Sequence, residues 1–323
     1  MKCRLYFIFD DNIKRFIFHD ATICKNSMDL SILLVNWNTG KLLVECIQSV
    51  YKFTTKLSFE IVVVDNASSD DSVEMLEAEF PEIKLIKNTQ NVGFAKANNQ
   101  AYLEAKGTYI CCLNPDTVLL NNALEVLYKY LLNNPKCGIV GPKLLNPDGT
   151  IQYVCARRLP NLYTSFVWIT GLNQRCPNIF EGSNIENWDH RNSRDVDCLA
   201  GACMVFRRDF SKDNKIFNEG YFMFGEDVEI CLWAKRCGYT IYYLSDAEVL
   251  HYGQASVKKY NMVKLHYFIS LEIYFRNNHG MLKATLFRLL VIFIMLSRLM
   301  FLKRTEKYGK ILAWAIGLKV SLT

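Results

Sequence analysis

An α/β fold, with a mostly parallel sheet covered by helices on both faces and a C-terminal amphipathic helical tail, is predicted by three features of the chain. Short apolar runs alternate with stretches of helical periodicity from Asp29 onward. The runs are continuously apolar, as strands buried on both faces must be. Each ends in a cluster of polar residues, and right-handed crossovers would bring those ends to one edge of the sheet.

The elements follow in order. Leu30 to Val35 is the first strand and ends in Asn36-Trp37-Asn38-Thr39; Leu43, Cys46, Ile47 and Val50 then recur at helical spacing. Phe59 to Val64 is the second strand and ends in Asp65-Asn66, with Val73, Leu76 and Phe80 on the next helix up to Pro81. Ile83 to Ile86 is the third, followed by Asn91-Val92-Gly93 and a helix with Phe94, Ala97, Ala101 and Ala105 on one face. Thr108 to Leu113 is the fourth and leaves through Asn114-Pro115-Asp116; Leu124, Leu127 and Leu131 mark a helix ended by Pro135, and Cys137 to Val140 begins a fifth strand. Asn36, Asp65 and Asp116 therefore converge from three strand ends. No glycine-rich dinucleotide or P-loop signature follows any strand.

Beyond Pro142 the pattern loosens into loops rich in Asn, Arg and aromatics up to Asp195, the kind of segment that recognises an acceptor. An apolar strand broken at Gly201-Ala202 covers Val196 to Phe206. Tyr221 to Gly225 leads into a helix that begins at Glu226-Asp227; Thr240 to Leu244 and Val249 onward are further strands.

Composition narrows the function classes. Of 323 residues, 50% are apolar and 22% charged, so the chain has the material for a sizeable core. The 12 cysteines fall in apolar stretches rather than at zinc or loop spacings, which suits small core residues in a reducing compartment. From His279 to the end there are eight basic residues and one acid, +7, which leaves −1 for the rest of a chain whose total is +6. A nearly neutral body provides no groove for nucleic acid. The basic tail is also apolar, a pairing that points to an anionic membrane surface. Arg288 and Arg298 bracket its apolar run Leu289 to Ser297, so no uncharged stretch reaches the roughly 20 residues of a spanning helix, and an interfacial helix fits better. Residues 1–28 have neither a signal-peptide core nor a clean period; either translation begins at Met28 or they form a leader of unassigned role.

Three acids and a histidine carry the chemistry. Asp116 at a strand exit is either a turn-forming side chain or a ligand for a cation that neutralises phosphate. Glu226 and Asp227 in a helical first turn complement the helix dipole or, against their aromatic lead-in, include a carboxylate whose pKa is raised toward the range of a general base. His251, in a polar patch with Gln254 and Ser256, is a structural histidine or a ligand acceptable to manganese.

The segments I-L-L-V-N-W-N (from Ile32), I-V-V-V-D-N-A-S (from Ile61), N-V-G-F-A-K-A-N-N (from Asn91), L-N-P-D (from Leu113), Gly201 to Arg207, G-Y-F-M-F-G-E-D-V-E-I-C-L (from Gly220) and His251 together resemble family 2 glycosyltransferases of the GT-A, Rossmann-like fold, most closely the rhamnosyltransferases of bacterial surface polysaccharide synthesis. The resemblance covers residues 29 to 256 in the family's order. It implies that Asn36, Asn38, Asp65 and Asn66 contact the nucleoside end of a donor such as dTDP-rhamnose or a UDP-sugar, and that Lys96 and Asn99 flank its sugar-diphosphate. Asp116 would bind Mg²⁺ or Mn²⁺, with Asn114 in the donor site where the family's first D-x-D acid stands. Asp227 would be the catalytic base with Glu226 beside it, and His251 would join the metal or diphosphate. The implied reaction is inverting transfer to a glycan or polyprenyl-diphosphate-linked acceptor by an enzyme peripheral to the cytoplasmic face of the membrane. A UDP-hexose transferase and a non-catalytic nucleotide-sugar-binding scaffold are the alternatives. The expected domains are a glycosyltransferase domain over 29–278, divided at 142/143 into donor and acceptor halves, and a membrane-associating tail over 279–323.

Overall fold

The computed structural model describes residues 28–185, 187–211, 214–253, 263–301 and 305–320. Of the segments read above, the leader up to Ser27, Gln254 to Ser256, and Lys303 and Arg304 of the tail lie outside the described residues.

The first half alternates as expected: β1 (Leu30–Asn36), α1 (Gly40–Phe53), β2 (Phe59–Asp65), α2 (Ser72–Glu79), β3 (Lys84–Lys87), α3 (Phe94–Glu104) and β4 (Tyr109–Leu113). All seven residues of β1 and all five of β4 are buried, which is why no polar residue alternates into their interiors except Ser31. That serine answers its burial by donating to Glu60 Oε1 and accepting from the Gly107 N–H at 2.7 Å. Helix α1 buries Leu43, Cys46, Ile47 and Val50, the stripe its sequence spacing predicts.

The second half contains β5 (Thr117–Leu119), α4 (Ala123–Asn133), β6 (Cys137–Leu145), β7 (Ala156–Arg157), α5 (Leu162–Thr170), α6 (Leu172–Arg175), β8 (Arg194–Asp195), β9 (Cys198–Leu199), β10 (Cys203–Arg207), α7 (Glu226–Arg236) and β11 (Thr240–His251). Three helices end the chain: α8 (Val263–His279), α9 (Met281–Phe301) and α10 (Thr305–Ala315).

The main sheet runs β3-β2-β1-β4-β10-β6-β11-β5, with β8 also on β11. It is parallel from β3 to β4 and mixed beyond, since β10 is antiparallel to both β4 and β6. The two strands read separately at Thr240 and Val249 are one strand, β11, whose register against β6 shifts between Leu244 and Glu248. The shift follows the pair Leu244 and Pro142, where β6 has no N–H to continue the ladder.

Register sets the site. Asn36 pairs with Asp65 across β1 and β2, and Leu34 with Leu113 across β1 and β4, so all three strands end at one edge. On the far side β5 pairs with β11 so that His251 lies opposite Thr117, one residue past Asp116. Eight of the ten described cysteines are buried and all ten are free thiols, consistent with a role as small core side chains. The terminal helices are packed to the body: Phe287 of α9 is fully buried against Phe275 (5.2 Å) and Phe268 (6.4 Å) of α8. Among the described residues no helix is long and apolar enough to cross a membrane.

Candidate active site

A cleft of about 860 Å³ opens at the strand ends, and Trp37, Asn66, Asn114, Asp116, Arg157, Glu226, Asp227 and His251 are among its lining residues. One group in it is Asp116, 6% exposed, with its Oδ1 3.4 Å from His251 Nε2. The tautomer of His251 follows from Gln152. The Gln152 Nε2 donates to the His251 carbonyl at 2.6 Å, and a carbonyl can only accept, so the Gln152 Oε1 must face the other way. That Oε1 lies 2.9 Å from His251 Nδ1, which therefore carries the hydrogen. In the neutral ring Nε2 then turns a lone pair toward a carboxylate. An imidazole nitrogen and a carboxylate so placed are the kind of pair that could hold a divalent metal. Among the described residues no cluster of three His, Cys, Asp or Glu could enclose a metal, so an ion held by Asp116 and His251 would take its remaining ligands from substrate oxygens and water, as Mg²⁺ and Mn²⁺ sites on phosphates do. Asn114 lines the same cleft, and its buried Oδ1 has no hydrogen-bond partner among the described residues. A buried acceptor of that kind fits a ligand's donor.

The acid pair opens α7. Phe224 and Gly225 both have left-handed backbone, φ 66° and 88°, which turns the chain sharply into the helix. Asp227 Oδ1 accepts from the Val228 N–H at 2.8 Å, and Oδ2 accepts from Arg157 Nη2 at 2.5 Å and from the Gly201 N–H at 3.2 Å. Its neighbour Glu226 is buried, and the Oε2 of that side chain meets no partner among the described residues. Burial, and then the charge on Asp227, push Glu226 up to about 8. The raised carboxyl expected beside the aromatic lead-in is Glu226.

The strand-end polar residues are brought together but used differently. Asn36 Nδ2 donates to Asp65 Oδ1 at 2.8 Å, Asp65 also accepts from Ser68, and both side chains are buried away from the cleft lining. Asn38 Oδ1 accepts from the Ser69 N–H at 2.7 Å. Asn66, which does line the cleft, holds the turn after β3 by donating to Asn91 Oδ1 at 3.0 Å and accepting from the Val92 N–H at 3.1 Å. Asn99 is a buried clamp on the loop that leads to the acids: its Oδ1 accepts from the Ile216 and Phe217 N–H groups and its Nδ2 donates to the Phe217 carbonyl at 2.8 Å. Lys96 is exposed on α3 and not among the residues lining the cleft.

Arg157 and Gln152 are the site residues that sequence reasoning left unassigned. Arg157 stood in view as part of a basic pair, Arg157-Arg158, in a nearly neutral body. Nothing local marked Gln152.

The sequence profile of the family described as "Glycosyl transferase family 2" matches residues 31–214. Over 240 residues the chain is 25% identical to the N-acetylglucosaminyl-diphospho-decaprenol L-rhamnosyltransferase of Mycobacterium tuberculosis, covering 69% of this chain and 76% of that protein. Over 227 residues it is 25% identical to the low-salt glycan biosynthesis hexosyltransferase Agl10 of Haloferax volcanii, covering 69% and 67%. Among solved structures, S. aureus TarS superposes with a TM-score of 0.54 at 17% identity, covering 90% of this chain and 48% of that one. The structure of GalNAc-T7 with UDP, GalNAc and Mn²⁺ gives 0.52 at 18% identity, covering 70% and 44%. The match thus spans less than half of either solved chain, and the likeness is one of fold.

Proposed function

Because this chain belongs to glycosyl transferase family 2, we propose that it moves a sugar, rhamnose by preference, from a nucleoside diphosphate to a hydroxyl of a glycan or lipid-linked acceptor in cell-surface polysaccharide synthesis, inverting the anomeric centre. The observation that carries this reading is that one cleft gathers Asp116, 3.4 Å from His251, and the adjacent acids Glu226 and Asp227.

Asp227 accepts the proton of the acceptor hydroxyl as that oxygen bonds to the anomeric carbon and the bond from that carbon to the diphosphate breaks. Arg157 and the Gly201 N–H hold the carboxylate in place. Glu226 stays protonated and adds no second charge beside the base. Asp116 and His251 would hold Mg²⁺ or Mn²⁺, which when bound supplies positive charge against the departing diphosphate. With Asn114 in place of an acid, Asp116 brings the protein's one carboxylate charge to that ion among these groups. Asn66, Asn114 and Trp37 present the polar and aromatic surface for the donor, while Asn36, Asn38, Asp65 and Asn99 support the loops around it.

The rhamnose preference rests on the resemblance to the M. tuberculosis enzyme, whose name also supplies the precedent for a polyprenyl-diphosphate acceptor. Such an acceptor sits in a membrane, and peripheral attachment through the basic tail would bring the cleft to it. A UDP-hexose donor is the second reading, favoured by the hexosyltransferase relative and by UDP in the structure of GalNAc-T7. Hydrolysis and transfer assays with Mn²⁺, comparing dTDP-rhamnose with UDP- and GDP-sugars on a lipid-linked acceptor, test both. Turnover of dTDP-rhamnose that is lost in Asp227→Asn supports the proposal; turnover of UDP-sugars alone selects the second reading; undiminished turnover in Asp227→Asn overturns the assignment of the base.

A further inference from the structure

Helix α9 has an exposed side made of apolar residues alone from Leu286 to Met300: Leu286 (43% exposed), Leu289 (55%), Phe293 (71%), Leu296 (46%) and Met300 (73%). At about 100° per residue these five fall within an arc of roughly 80°, a stripe about 21 Å long. The two arginines of the helix are on other faces and turned into the protein. Arg288 donates to the carbonyls of Trp314 (2.9 Å) and Ala315 (3.2 Å), the last residues of α10, and to Glu272 Oε1 (3.4 Å). Arg298 donates to the Ile169 carbonyl near the end of α5 and lies over the Tyr308 ring. Each guanidinium thus caps the carbonyl end of a neighbouring helix, where a cation is favoured. The two charges that interrupt the apolar run in sequence thus lie off the exposed stripe.

We propose that this stripe is the face by which the protein lies on an anionic lipid bilayer, with α9 parallel to the surface and its exposed side chains in the headgroup and upper acyl region. An uncovered apolar strip of this length is uncommon on a soluble monomer and marks a contact surface. Charge selects the occupant. Residues 279–323 carry eight basic residues against one acid, and Lys283, Lys310 and Lys319 are exposed. A second copy placed stripe to stripe would bring two such segments together, whereas anionic lipid complements one. The proposal deepens the membrane placement given above, and its test reads binding rather than sugar transfer, so either can fail without the other.

The test is co-sedimentation of the full chain with phosphatidylcholine vesicles with and without phosphatidylglycerol, at low and high salt. Wild-type protein should bind the anionic vesicles. The double variant Phe293→Glu with Leu296→Glu should bind at least about tenfold more weakly, from the loss of two inserted side chains. Lys283→Gln, Lys310→Gln and Lys319→Gln combined should weaken binding to anionic vesicles and reduce its salt dependence. Because every altered residue is exposed, melting temperature should be unchanged, and the milder pair Phe293→Ser and Leu296→Ser should show the same direction of effect. Wild-type protein that ignores anionic vesicles, or stripe variants that bind as wild type does, overturn the proposal. So does a wild-type dimer that the stripe substitutions dissociate without any vesicle binding, which would assign the stripe to a second copy.

Discussion

Arg157 Nη2 lies 2.5 Å from Asp227 Oδ2, and both side chains are mostly buried, so the proposed base is held by a cation from β7, 70 residues away in sequence. Removing that cation leaves Asp227 and Glu226 side by side without a countercharge. Arg157→Ala should lower stability by about 3–5 kcal/mol in urea unfolding, the cost of orphaning a buried charge. Arg157→Lys keeps the charge and loses the planar fork, so it should recover stability better than kcat. Equal recovery of both would mean that Arg157 is structural and does not aim the base.

Glu226 gives the protein a pH signature. Folded, it keeps its proton up to about 8; unfolded, it loses it near the ordinary carboxyl value of 4.5. The folded state therefore binds more protons between those values, and its stability falls as pH rises through that window, by at most about 1.4 kcal/mol per pH unit. Glu226→Gln cannot titrate. Urea midpoints taken from about pH 5 to about pH 8 should decline for the wild type and flatten in the variant.

The proposed cation site predicts a graded series. Chelation should remove turnover, and Asp116→Asn should be nearly as damaging as Asp227→Asn, with a loss of about 10²-fold or more in kcat. Gln152→Ala removes no ligand of the ion but frees the His251 ring. It should weaken Mn²⁺ affinity by about 10- to 100-fold while saturating metal restores kcat. Metal titration of turnover separates the two cases.

Gly93 has φ 87°, and a Cβ there would meet the Phe222 carbonyl oxygen at 2.7 Å and its ring at 2.8 Å. The Phe94 N–H also donates to that carbonyl at 2.8 Å, so the turn after β3 and the loop before Glu226 are in direct contact. Gly93→Ala should cost at least about 1–3 kcal/mol from the backbone conformation alone, and it should lower kcat by shifting the acid pair. Thermal unfolding and kcat measured together check this.

The order of strands and helices was legible because both faces of the sheet are covered, which imposes continuous apolar runs and helical stripes such as Leu43 to Val50. Asp116, Glu226, Asp227 and His251 were legible as residues of the cleft because each stands at the end of a strand or the start of a helix, where local pattern and edge position coincide. Arg157 and Gln152 were not. They come from the irregular chain after β6, where a residue's destination depends on the tertiary path rather than on any period. The buried pairing of Asn36 with Asp65 was hidden for a different reason: it comes from the register between β1 and β2, which no single strand encodes. The antiparallel entry of β10 likewise depends on the route taken by the loops before it.

Ser270 of α8 donates to the Met223 carbonyl at 2.9 Å, three residues before Glu226, and α8 is itself covered by Phe287 of α9. The terminal helices are therefore not detachable modules. A chain trimmed at Asn278 to make a more tractable enzyme would uncover Phe268 and Phe275 and loosen the support of the acid loop. Homologue grafting and truncation should treat everything through α10 as one unit of inheritance, with lipid affinity altered by exposed point substitutions instead.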